Sequence, residues 1–400
     1  MSRLLAYSLI SGLLLATAWP VNGITPLIFV SLIPLLFVED IISNDNLGKK
    51  NLRLFFYSYV TFLTWNIATT WWIVNTTLPG AIFANVANSS FYSIIFLLYS
   101  RVKRKIDFKA GILFLITFWI SFEKFHLNWE FSWPWLNLGN VFSERIDWIQ
   151  WYEYTGVFGG SLWVLCANFL LFNLLRKYSS FKDKRRFYIR IIPRILLISF
   201  PIFVSLLVKP KINKGEEFKV LITQPKIDPW ESKYGNSKSN LDYFKIFKDL
   251  TNEELSTNEY DFVFTSETYF SEGYGENLDY FGYTKLHDSL NNYLSKFIKT
   301  NLISGIQFYK LYQNQKEKPT KSANLVRNNI WVDYFNSSIN ISANKGFEYN
   351  HKSKLVVGSE YMPFKSFLEP IIGTVMIDLG GTIRSMGTQH ESERKVFKHS

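Results

Sequence analysis

Residues 187–224 read FYIRIIPRILLISFPIFVSLLVKPKINKGEEFKVLITQ. The first part, 187–208, is an apolar run of about 20 residues, the length that crosses a bilayer as a helix. The last part, EFKVLITQ at 217–224, is a compact apolar stretch of strand type, and it is followed by segments that alternate between strand and helix periods. The junction near 209 therefore divides the chain into an apolar, helical half and a half of mixed, water-soluble composition.

That division explains the overall balance. The 400 residues are 48% hydrophobic and 18% aromatic, yet mean hydropathy is only +0.01, because the two halves offset each other. The net charge is +11, and residues 1–208 carry 19 Lys/Arg against 10 Asp/Glu, whereas 209–400 carry 25 against 23. A basic protein can bind nucleic acid. Here the excess sits in the apolar half, which points to membrane topology and excludes nucleic acid as the partner. The one cysteine, Cys166, lies inside an apolar run and reads as a small buried hydrophobe.

Apolar segments fall at 3–18, 24–38, 53–75, 79–100, 109–123, 154–175 and 187–208. If each is a span, 17 of the 19 basic residues of this half lie on one side, from Arg3 through Lys49–Arg53 and Arg101–Lys109 to Arg176–Arg194. The other side receives only Lys124 and Arg145. Short basic loops resist translocation, so the N-terminus is expected in the cytoplasm and residue 209 onward on the opposite side. The connection 123–156 is rich in tryptophan, with Trp129, Trp133, Trp135, Trp148 and Trp151. An interfacial aromatic belt accounts for such a loop, and so does a lipid-facing platform or substrate cleft.

In the second half, strands are expected at 217–224, 260–267, 302–309 and 328–342, and helices at 239–255 and 284–299. This alternation is that of an α/β layered domain. Residues 310–327 are polar and lysine-rich and read as an exposed loop. There is no phosphate-binding loop, no nucleophile elbow and no dinucleotide fingerprint. The five histidines, His126, His287, His351, His390 and His399, lack metal-ligand spacing, so neither a metal nor another cofactor is expected. Glu267 stands just past the strand ending at Thr265, a common position for an active-site group in α/β folds. The stretch YNHKSKLVVGSEYMPF, 349–364, offers Lys352, Lys354 and Glu360. On local pattern alone these four residues read equally well as solvated surface charges or a turn cap.

The ordered set of motifs decides between those readings. Leu13–Pro20 with Pro26–Leu36 resembles the opening hairpin of the apolipoprotein N-acyltransferase family. Trp133-Pro134-Trp135-Leu136-Asn137-Leu138-Gly139, then Gln150, Gly156 and Gly159, is similar to that family's region between the fifth and sixth spans. Val220–Gln224 with Ile227 resembles the first strand of its carbon–nitrogen hydrolase (nitrilase) part. Thr265-Ser266-Glu267-Thr268 resembles the glutamate motif, with Ser266 where proline is usual. Tyr334-Phe335-Asn336-Ser337-Ser338 matches the strand before the lysine motif, and 349–364 resembles that motif, closed by Glu360-Tyr361-Met362-Pro363. No single motif is specific, but the order is, and it covers essentially the whole chain.

The resemblance implies a multispan helical domain, 1–208, joined to a nitrilase-like α-β-β-α sandwich, 209–400, in the periplasm of a bacterial inner membrane. It implies a Glu–Lys–Cys triad, with Glu267 as general base and Lys352, eight residues before Glu360, as the triad lysine. Glu360 becomes a supporting carboxylate, and Lys354 is left as surface support. Tyr234 and Trp230 are the matches for a substrate-binding aromatic, and Trp133 and Trp135 are candidates to meet lipid. The implied reaction passes an acyl chain from a phospholipid, phosphatidylethanolamine, through a cysteine thioester to the α-amino group of a lipoprotein's diacylglyceryl-cysteine. The family's cysteine follows the lysine motif, and none follows Cys166 here. The expectation is a chain that stops short of its nucleophile and of a last span, with little activity by itself. Two other readings are a membrane-anchored amidase using water as acceptor and a non-catalytic lipid- or lipoprotein-binding protein.

Overall fold

The computed structural model describes residues 2–75, 78–177, 184–208, 215–227, 238–343, 345–358, 360–367, 386–388 and 396–397. The chain divides into two compact units, Met1–Ile212 and Asn213–Ser400.

In the first unit every apolar segment read from the sequence holds a helix. These are α1 (Ser2–Ala18), α2 (Ile33–Asn44), α3 (Lys50–Thr70), α4 (Leu78–Lys105), α5 (Phe108–His126), α6 (Tyr152–Arg176) and α7 (Lys184–Val208). Among the described residues four stretches are long and apolar enough to cross a membrane: Thr25–Asn44, Leu78–Lys105, Tyr152–Arg176 and Phe187–Val208. Helix α1 is apolar but shorter, and α5 carries Lys109, Glu123 and Lys124 within 19 residues. Helix α3 does not run on to residue 75. It tightens at Trp71 into a 3-10 turn, Trp71–Asn75. Helix α7 exposes apolar side chains on more than one face, including the consecutive Ile195, Leu196 and Leu197 as well as Phe203 and Leu206, the pattern of a helix built for a lipid environment.

The core of this unit is aromatic, with Phe62, Trp65, Tyr92, Tyr99, Trp119, Phe142 and Phe172 fully buried. Two polar clusters are enclosed beside it. Lys103 Nζ pairs with Glu39 Oε2 at 2.5 Å and Asp40 Oδ1 at 3.1 Å, and Arg176 Nε reaches Asp40 Oδ2 at 3.2 Å, so α2, α4 and α6 are tied by charge. Glu39 is fully buried. Removing Lys103 strands that carboxylate, and Lys103→Met is expected to cost about 3 kcal/mol. Thermal unfolding of the detergent-solubilised protein measures it, and an unchanged midpoint would show that the pair holds nothing together. The second cluster fastens the tryptophan-rich loop. Glu123 Oε1 accepts from Trp119 Nε1 (3.0 Å) and from the backbone N–H of Leu138 (2.8 Å).

The second unit is built on a mixed sheet. Its strands are β1 (Val220–Ile222), β2 (Phe262–Phe264), β3 (Glu276–Asn277), β4 (Asn301–Gln313), β5 (Asn324–Arg327), β6 (Ile330–Ser342) and β7 (Phe347–His351), with helices α8 (Asn240–Thr257) and α9 (Lys285–Leu294). The order is β1-β2-β4-β6-β5, and β3 and β7 add to β4 and β6 respectively. Strands β1, β2 and β4 are parallel, as strand–helix alternation requires. Strands β4, β6 and β7 are antiparallel.

Helix α8 opens with a capping box, Ser239 with Asp242. It buries Tyr243, Phe247, Thr251 and Leu255 at four-residue spacing. These pack with Leu286, Leu290 and Tyr293 of α9 and with Leu302, Ile306, Phe308, Ile339 and Ile341 of the sheet. Side chains alternate across a strand, so the opposite face of the β4–β6 pair carries Gly305 and Gln307, and Asn336, which is paired with Gln307 in the register.

Two expectations are corrected. Residues 310–327 are not one loop: β4 runs on to Gln313 and β5 begins at Asn324, because Tyr309, Leu311 and Val332 form a small cluster of their own that rewards pairing. The helix expected over 284–299 ends at Leu294, where Lys296 and Phe297 bond back to Tyr293 and Leu294 in short turns. Among the described residues there is one sheet. The second sheet and outer helix layer of a four-layer sandwich are not among them.

Candidate active site

Glu267, Lys352 and Glu360 arrive by three routes. Glu267 follows β2 on a segment that crosses β4. Thr265 N–H donates to Ile303 O (3.1 Å), and the Thr265 and Ser304 hydroxyls meet at 2.7 Å. Phe270 N–H then donates to Gly305 O at 3.1 Å. Thr268 lies between these anchors at φ +47°. That is a strained conformation for a β-branched residue and is held only because the flanking bonds determine it. The segment passes so close to β4 that a Cβ at residue 305 would lie under 3.0 Å from Thr268 N, Ser266 O and Glu267 C. Glycine at 305 is thus a requirement of the glutamate's position.

Lys352 leaves the end of β7, and its backbone N–H donates to Asn336 O on β6 at 2.8 Å. Glu360 is fixed by a turn. Its Oε2 accepts from Val356 N–H (2.7 Å), its own N–H donates to Val356 O (3.0 Å), and its carbonyl accepts from Met386 N–H (2.9 Å).

The three side chains converge. Lys352 Nζ lies 2.8 Å from Glu267 Oε1 and 3.1 Å from Glu360 Oε1. Asn336 Nδ2 donates to the same two oxygens, at 2.6 Å and 2.8 Å. Exposure falls from 64% for the Glu267 side chain to 27% for Lys352 and 12% for Glu360. One carboxylate is therefore open to an incoming group while the other is enclosed. Burial, the largest single influence on Lys352, lowers its pKa. The hydrogen bonds and charges of Glu267 and Glu360 together outweigh burial and leave the pKa raised above 10.5. The ammonium is charged at any working pH and can offer a donor to a developing oxyanion.

The other candidates are placed as follows. Lys354 is exposed. Tyr234 and Trp230 lie outside the described residues. Trp133 and Trp135 belong to the helical unit. Trp133 is half-buried and its backbone N–H donates to His126 O (2.9 Å), and Trp135 is 49% exposed and stands edge-on to Trp72 at 5.3 Å. Among the described residues no group of three His, Cys, Asp or Glu could hold a metal.

Residues 11–170 match the family described as the apolipoprotein N-acyltransferase N-terminal domain. The chain is 27% identical over 241 residues to the apolipoprotein N-acyltransferase of Chlorobaculum tepidum, which covers 58% of this chain and 44% of that protein. It is also 27% identical over 233 residues to the apolipoprotein N-acyltransferase of Geobacter metallireducens, covering 55% of this chain and 43% of the relative. Over these regions the chain is similar to the apolipoprotein N-acyltransferase family. The matched region spans less than half the length of either relative.

The family match at 11–170 falls within the helical unit, and the carboxylate–lysine cluster lies beyond it. Sequence reasoning singled out Glu267, Lys352 and Glu360 but missed three contributors: Asn336, Gly305 and Met386. The pattern of 334–342 held a signal for the first. Ile339 and Ile341 mark one face of β6, and the even positions, Asn336 among them, must then face the other way. Gly305 and Met386 act through backbone geometry and leave no such trace.

Proposed function

We propose that the protein is a membrane-embedded N-acyltransferase that moves an acyl chain from a phospholipid, phosphatidylethanolamine, to the α-amino group of a lipoprotein's N-terminal diacylglyceryl-cysteine. The observation that carries this reading is the convergence of Glu267, Lys352 and Glu360 within hydrogen-bond distance. In this proposal seven spans in a bacterial inner membrane deliver a nitrilase-like α-β-β-α domain to the periplasm. Trp133, Trp135, Tyr234 and Trp230 would meet the lipid or acceptor.

Glu267 takes the proton of a thiol, and the thiolate attacks the ester carbonyl of the phospholipid. Lys352 donates to the oxyanion of the tetrahedral intermediate. Its collapse breaks the ester C–O bond, Glu267 returns the proton to the leaving alkoxide, and a thioester and a lysophospholipid result. The acceptor's amine then attacks the thioester, the C–S bond breaks, the amine's proton passes through Glu267 to the sulfur, and the amide is formed. Glu360 keeps Lys352 charged and aimed. The thiol belongs to the family's scheme: the one cysteine of this sequence, Cys166, lies on α6 in the helical unit.

The test is to express the natural gene in membranes and follow N-acylation of a model lipoprotein by mass shift. Glu267→Gln is expected to lower the rate by about a hundredfold or more, the usual contribution of a general base. Full activity in Glu267→Gln would refute the assignment. Release of free fatty acid without lipoprotein acylation would instead identify a hydrolase.

A further inference from the structure

The contacts of Asn336 carry one step beyond the carboxylate–lysine pairings. We infer that Asn336 is a positioning residue that fixes the side chains of Glu267 and Glu360, so that Lys352 keeps one N–H free for the reacting carbonyl. The inference rests on the acyl-transfer reading for its chemistry, but its geometry stands independently.

A primary amide nitrogen carries two hydrogens, and both are engaged here: Nδ2 donates to Glu267 Oε1 at 2.6 Å and to Glu360 Oε1 at 2.8 Å. Lys352 Nζ spans the same two oxygens from the other side, at 2.8 Å and 3.1 Å. The four atoms form a closed ring of two donors and two acceptors. An ammonium has three hydrogens, so two serve the ring and the third is available to a ligand.

The charge count shows why the amide is needed. Two carboxylates and one ammonium leave a net charge of −1. Carboxylates that share a site repel, and such a pair relieves the strain by binding a proton. A protonated Glu267 cannot act as a base. Asn336 adds two donors without adding charge, and its hydrogen bond to Glu267 favours the ionised form that a base requires. A second lysine there would compete for the nucleophile's charge, and an aspartate would add a third anion.

The residue is also held firmly. Asn336 is 4% exposed and lies in the middle of β6, paired with Gln307 of β4, and its carbonyl accepts from the backbone N–H of Lys352 at 2.8 Å. One residue therefore sets the backbone of Lys352 and the side chains of both carboxylates.

The test uses the protein expressed from its natural gene, reconstituted in phospholipid vesicles, with the pH dependence of kcat/KM for acylation of a model lipoprotein as the readout. Asn336→Ala is expected to move the acid limb of the profile upward by about one pH unit, because Glu267 loses a donor that favours its ionised form. Asn336→Asp keeps size and shape, so it guards against a folding defect, and it is expected to lose at least tenfold more activity than Asn336→Ala at neutral pH. A uniform loss with an unmoved limb in Asn336→Ala would overturn the inference. So would wild-type activity in Asn336→Asp. Failure of the acyl-transfer reading looks different: wild type would then acylate no lipoprotein and release free fatty acid instead, and the same acid limb is read from that release.

Discussion

Lys352→Ala is expected to reduce lipoprotein acylation by about a thousandfold. Loss of one preorganised oxyanion donor accounts for about a hundred- to a thousandfold. The remainder comes from the carboxylates. Without the ammonium, Glu267 loses the donor that aims it and the two carboxylates lose the cation they share, so the base is weakened. The measurement is the single-turnover rate of acyl transfer, read by mass. A rate within tenfold of wild type would remove Lys352 from the chemistry. The same pairing has a consequence for stability. The lysine's pKa is raised in the folded site, so its ionisation favours the folded arrangement at every pH below the ordinary lysine value of 10.5. That contribution fades only as the pH rises beyond it.

The second large effect is expected from a residue that touches no substrate. Gly305→Val places branched carbon against the backbone of Ser266, Glu267 and Thr268, where even a single Cβ lies under 3.0 Å away. Neither side can yield cheaply. Residue 305 is in the middle of β4, bonded on both sides, and the crossing segment is pinned at Thr265 and Phe270. Overpacking of this kind costs about 1–3 kcal/mol. A shift of about 1 Å in Glu267 is enough to lower the rate by about a hundredfold. Thermal unfolding and the acylation rate should therefore fall together. Gly305→Val at wild-type stability and rate would mean that the crossing segment is free to move, contrary to the short contacts that define it.

The difference between these two residues is also the difference in what could be read. Lys352 and Glu267 are charged, stand just beyond strands and fall in a family-like order, so local chemistry and spacing pick them out. Gly305 sits in a run, Leu302–Tyr309, that reads only as strand. The need for glycine arises because a segment 37 residues earlier in the chain crosses over it. Asn336 lies between these cases. Alternation on β6 predicts its face, but which groups occupy that face depends on the β4–β6 register and on the return of β7.

The division into an apolar helical part and a mixed α/β part was determined by the sequence alone. Hydrophobic runs near bilayer length and strand–helix alternation are local properties, set by the solvent each segment must face. Local too are the tryptophan richness of the connection at 123–156 and the candidacy of Glu267, Lys352 and Glu360. Only the tertiary structure decided that these three form one cluster, that Asn336 closes it, and that Gly305 admits Glu267. The reason is physical. A charged side chain states what chemistry it can do, but hydrogen bonds of 2.6–3.1 Å between residues up to 85 positions apart exist only once strand register has brought their backbones together.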